Sequence, residues 1–199
     1  SATALGLIEI GQGANSTVDA AEIAPNNANA KAYLAVNPHT SHVNVTRVNG
    51  VTTVMSAPTG GVIAGQGTVI NLNGSSQGDM AVLPASGLVI NFPRISTFGG
   101  FTPGIGAQTV DFNEAIKRRD SQIEDLKKIF KNAENYGRAK DAYAKDKSLP
   151  NPATDLKLEA LVTYARGERP IFFTVERERD VRAVIKFVGE MKLKGVIVG

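Results

Sequence analysis

Cysteine is absent from this sequence, and histidine nearly so, with His39 and His42 the only two. The first absence removes disulfides, thiolate nucleophiles and sulfur ligands for a metal, and fits a reducing cytosol and a cysteine-poor periplasm alike. No apolar run approaches the roughly 18 residues of a membrane span, and no charged, apolar, small-residue succession opens the chain. The expectation is a soluble protein without membrane span or signal peptide. An excess of one charge is also lacking: 22 Lys and Arg are interleaved with 19 Asp and Glu, for a net +3. No basic stripe therefore points to nucleic acid. The chain starts on Ser1, and Lys194 to Gly199 reads as a buried strand stopping where a loop should begin, which predicts a processed or cut chain.

The 199 residues, 42% of them apolar, suffice for one substantial core. Composition changes near residue 110: residues 1–110 hold 7 charged residues and 15 glycines, residues 111–199 hold 34 and 5. One domain over 1–199 is expected, in a Gly-rich strand-and-loop part and a charged helical part.

Ala4 to Ile10 and Val51 to Ser56 have the bounded, β-branched character of buried strands, each followed by Gly-, Pro- or Asn-rich loops. Ser41 to Asn49 is predicted to be a short helix closed by Gly50. Gly67 to Leu72 and Gly87 to Phe92 are strand candidates bracketed by turn residues, expected as a Gly-rich β insertion or elaborated loop. A long helix should start at Asp111, an N-cap with Glu114 three residues on, burying Phe112, Ile116, Ile123, Leu126, Phe130 and Ala133. Ser148 to Pro152 breaks it, and Thr154 can cap a second helix that ends at Gly167. Pro170 to Val175, an amphipathic Arg177 to Met191, and Gly195 to Val198 form a strand–helix–strand unit, expected to be a right-handed parallel crossover. Alternation of this kind predicts a parallel-sheet α/β architecture.

Several segments in order carry a family likeness. Ala4-Leu-Gly-Leu-Ile-Glu-Ile10, Val48-Asn-Gly-Val-Thr-Thr-Val-Met-Ser-Ala-Pro58 and Gly60-Gly-Val-Ile-Ala-Gly-Gln-Gly-Thr-Val-Ile70 resemble the N-terminal half of bacterial imidazolonepropionase-like amidohydrolases. The resemblance continues through Leu158-Glu-Ala-Leu161, Gly167-Glu-Arg-Pro170 and Arg179-Asp-Val181 to Gly195-Val-Ile-Val-Gly199. It implies a partial TIM-like (β/α) barrel of the metal-dependent hydrolase type, and an activity on C–N bonds of cyclic amides or related small molecules. In that superfamily an Asp-Ala-His-x-His-Leu-Gly-like stretch ending the first barrel strand binds zinc or a similar metal. The implied alignment puts Ala2 and Ala4 at the two imidazole positions. Alanine has no lone pair to donate, and catalytic zinc keeps about three protein ligands and a water. Metal-dependent hydrolysis is therefore expected to be impaired or absent, with no cofactor in this chain and a non-catalytic binding or scaffolding relative as the alternative.

Other candidates are weaker. Glu176 is the nearest potential ligand or catalytic group beyond the strand at Ile171, although the run Glu176 to Asp180 also reads as a solvated helix start whose carboxylates suit the dipole. Pro38-His-Thr-Ser-His42 invites a metal reading, but no third ligand is nearby, and polar loop or helix-start roles are favoured. Ile10 to Ser16 follows a strand as a dinucleotide fingerprint does, yet Ser16 replaces the third glycine. Gly60 to Thr68 has P-loop glycine spacing with Gln66 and Gly67 where Lys and Ser/Thr are required. Thr59, Gly60 and Gln66 are candidates for the floor of a binding mouth, since α/β barrels place ligands on loops after parallel strands; a purely structural glycine turn is the competing reading. The expected partners are a small molecule, the remaining barrel half or a second copy, because about five strands cannot close an eight-stranded barrel.

Overall fold

The computed structural model describes residues 2–9, 18–102 and 106–199. A six-stranded sheet runs in the order β1 (Ala2–Thr3), β2 (Thr53–Ser56), β3 (Ile63–Asn71), β4 (Ala81–Asn91), β7 (Pro170–Thr174), β8 (Lys194–Val198). Pairing is parallel at β1–β2, β4–β7 and β7–β8, and antiparallel on both sides of β3. Five strands thus share one direction and β3 opposes them. The sheet curls into half of a barrel. A separate hairpin, β5 (Phe98–Thr102) with β6 (Gly106–Thr109), lies between β4 and the helical part.

The Gly-rich segment is built into this sheet: its two strand candidates are the antiparallel β3 and the central β4. β3 begins earlier than the turn residues suggest, so Gly65, Gln66 and Gly67 are strand residues. Gln66 is buried; its backbone N donates to Ala30 O (2.8 Å) and its Nε2 to Ala28 O (2.9 Å), which ties the segment before α1 (Ala32–Ala35) onto the strand. The first strand also differs from expectation. Pairing covers Ala2–Thr3, and the chain then turns, with Leu7 N bonding Ala4 O and Gly6 at φ +83°. That left-handed conformation is open to glycine at little cost, so Ala4 to Leu7 cannot continue the strand. The glycine-spaced stretch from Ile10 to Ser16 lies outside the described residues.

Helices cover the outer face in two groups. Near β1–β3, α1, α2 (Ser41–Val48) and α3 (Gln77–Met80) contribute Ala32, Val43 and Met80 to a core with Leu7, Val36, Val54, Ile70 and Leu72. Against β4, β7 and β8 pack α4 (Phe112–Lys145), α5 (Leu156–Ala165) and α6 (Glu178–Met191). Here Phe187 of α6 meets Phe92, Phe130 and Phe173 edge-to-face, with centroids 5.7–6.2 Å apart, a geometry favoured by the ring quadrupole. The fall in glycine and rise in charge near residue 110 coincide with the start of α4, whose long solvent face carries ion pairs such as Glu124–Lys127 and Asp125–Lys128.

Most helix ends follow local chemistry. Asp111 caps α4 by accepting from Asn113 N and Glu114 N, and α2 and α5 stop before Gly50 and Gly167, both at positive φ. Two details are corrected. Phe112 is half exposed, because the first turn of α4 stands clear of the sheet and Ala115 is its first buried residue. The cap of α5 is Asp155, one residue after Thr154: its Oδ1 reaches Lys157 N and Leu158 N at 2.9 and 3.0 Å, and a carboxylate suits a helix N-terminus better than a hydroxyl. Among the described residues no helix is long and apolar enough to cross a membrane.

Candidate functional site

Because five strands run the same way, their C-terminal ends share one edge of the sheet. A cavity of about 670 Å³ opens there, lined by residues from the ends of β1, β2, β4, β7 and β8. The β4–β7–β8 register sets Asn91, Thr174 and Val198 side by side along its rim. Alternation along β7 sends Ile171 and Phe173 into the helix-covered core, while Phe172 and Thr174 line the cavity.

Four predicted positions come together here from distant parts of the chain: Ala2, Ala4, Thr59 and Glu176 all line the cavity. Gly60 and Gln66 do not line it. Gly60 lies against the 21–22 segment, where a Cβ would come within 2.8 Å of Ala21 Cβ and Glu22 O, and Gln66 serves the β3 contact described above. His39 and His42 are remote from the cavity. The backbone N of His39 donates to Asn37 Oδ1 (3.0 Å), and His42 Nε2 lies 2.8 Å from Glu9 O at the start of α2. Those are the loop and helix-start positions favoured from sequence.

Asn91 and Thr174 were missed as site residues. The signal was there: each is the polar last residue of a strand, where barrel folds present side chains to a ligand. The Asn91 amide spends both donors on the rim itself, on Thr59 O (2.7 Å) and Gly61 O (2.8 Å). Thr174 is exposed on the same rim.

The lining is largely apolar, with Met55, Ala57, Val89 and Phe172 around the alanine pair, and Glu176 is its sole ionisable side chain among the described residues. This set does not fit a zinc ion. Two methyl groups stand at Ala2 and Ala4, one carboxylate is available, and no group of three ligating His, Cys, Asp or Glu occurs among the described residues. What the cavity can do with its own groups is enclose an apolar body and offer it one carboxylate and two polar rim positions.

The solved amidohydrolase from Thermotoga maritima MSB8 superposes on 99% of this chain with a TM-score of 0.78 at 22% identity. The fold is amidohydrolase-like. The chain spans about half the length of that solved relative, 49% of it, so the amidohydrolase-like sheet is a half-barrel here. No protein-family model and no curated protein matches the chain.

Proposed function

We propose that this chain is part of an amidohydrolase-type protein whose cavity binds a small molecule but whose metal-assisted hydrolysis of C–N bonds is impaired. The observation that carries the reading is the placement of Ala2 and Ala4 in the cavity at the strand ends: the methyls occupy the two imidazole positions implied by the resemblance. A site with three protein ligands to zinc cannot lose two and keep the metal at ordinary affinity. The likeness to imidazolonepropionase-type bacterial enzymes supports a cyclic amide or related small ligand as the ancestral substrate class.

Metal analysis and turnover assays on the full-length protein test this. Expected is no stoichiometric zinc, iron or manganese after metal-replete growth, and no turnover of an amide, imide and dipeptide panel. Bound metal together with metal-dependent hydrolysis would falsify the reading.

The same reading includes an assembly partner. β8 pairs only with β7 among the described strands, and Val196 and Ile197 on it are 41% and 44% exposed. An uncovered apolar strand edge of this kind invites further strands, from the rest of a longer barrel or from a second copy. Sedimentation of residues 1–199 as a clean monomer at high concentration would count against it.

A further inference from the structure

A second, smaller cavity of about 60 Å³ adjoins the large one, and Thr174 and Glu176 line both. Asp180, on the first turn of α6, lines the small one and is 3% exposed. Its Oδ1 is fully buried with no hydrogen-bond partner among the described residues, and the cation beside it, Arg179 Nε, is 3.9 Å away on a half-exposed side chain. Arg94 and Arg177, also in the lining, are exposed residues like Glu176, and among the described residues neither guanidinium lies within ion-pair distance of Asp180. A carboxylate at this third helical position can reach back to the backbone N–H of the N-cap residue, here Arg177. Asp180 does not, and its acceptor capacity is left over in this small space.

A buried carboxylate without donors is penalised by desolvation unless a cation or N–H group meets it. Besides the Arg94 and Arg177 guanidinium groups, the small cavity is lined by a second carboxylate, Glu176, at its junction with the large apolar cavity. A primary ammonium supplies three donors and one positive charge in a compact volume. We infer that the ligand of this cavity is a small amphiphile whose apolar body fills the large cavity and whose protonated amine enters the small one, between Glu176 and Asp180. The inference rests on the cavity being a binding site, as proposed above, and adds the ligand's charge and orientation.

Titrations of the full-length protein with n-hexylamine and n-hexanol at neutral pH, followed by calorimetry, read it out. Expected is hexylamine binding at least tenfold tighter than hexanol, with Asp180→Asn reducing that preference to under threefold while hexanol affinity stays the same. Glu176→Gln, at an exposed position, should reduce the preference at least threefold, and it decides the matter should Asp180→Asn fail to fold. Equal binding of the two probes, or a preference that survives the substitution used, overturns the ammonium site and leaves the cavity reading intact. Binding of neither probe overturns both.

Discussion

Asn91, at the end of β4, holds the loop that follows β2 by donating from its side-chain amide to Thr59 O at 2.7 Å, and a second donation, to Gly61 O at 2.8 Å, completes the clamp. The rim of the cavity is thus set by a side chain 32 positions away from the loop it fixes. Replacing Asn91 with Ala leaves both carbonyls without this donor. We expect a loss of about 1–3 kcal/mol in urea unfolding, with faster hydrogen exchange confined to residues 59–62. An unchanged midpoint would show that water replaces the amide without cost.

Ala4 lines the cavity beside the β1 end. Ala4→Phe should fill part of the space and weaken binding of an apolar probe such as hexanol at least tenfold, with little effect on the melting temperature. Undiminished binding would place the ligand elsewhere.

Phe187 joins the rings of Phe92, Phe130 and Phe173 and is 2% exposed. Its truncation to Ala opens a cavity where α6 meets both the sheet and α4. The expected cost is about 3–5 kcal/mol, read from the denaturant midpoint at constant m-value.

Gly87 is a residue of β4 and lies against β7. A Cβ there would come 2.5 Å from Phe172 Cε2 and 2.6 Å from Pro170 O. The ring can turn, but the backbone carbonyl cannot retreat without disturbing the ladder. Gly87→Ala should therefore destabilise by about 1–3 kcal/mol, and Phe172, which lines the cavity, should shift in its aromatic NMR signals.

Tyr164 is fully buried in α5, its hydroxyl has no hydrogen-bond partner among the described residues, and the Arg169 guanidinium lies 5.3 Å from its ring centroid. Burial pushes the phenol up from its ordinary value, against a smaller opposing pull from Arg169. With the folded-state value raised, the unfolded chain releases its proton first, so the contribution is intact below about pH 10 and is lost as pH rises through the folded-state value. Tyr164→Phe should be neutral or stabilising by up to about 1 kcal/mol at pH 7, and should flatten the alkaline fall in melting temperature. An equally steep fall in the variant would assign it to other groups.

Much of the architecture is legible in the sequence, because its determinants are local. The β7–α6–β8 unit follows from a β-branched run, a 3.6-residue apolar period and a second run. The start of α4 follows from Asp111, and the end of α2 from Gly50. Local signals also set the limits: Asp155 and Thr154 are both competent caps one residue apart, and the run Ala4 to Ile10 reads as a strand although Gly6 turns it.

By itself, the sequence determined the α/β class, the ordered family likeness and the absence of imidazole at Ala2 and Ala4, since these rest on residue identity and on spacings of two to four positions. The cavity was decided only in three dimensions. Parallel pairing brings Asn91 beside Thr174 and Thr174 beside Val198, and curvature brings Ala2, Thr59 and Glu176 to the same opening. Gln66 shows the converse: beside a glycine it reads as a loop residue, until burial on β3 turns its side chain to Ala28 O. Which polar groups face a ligand and which satisfy the backbone depends on which strand end or backbone segment lies within 3 Å, and sequence spacing does not encode that distance.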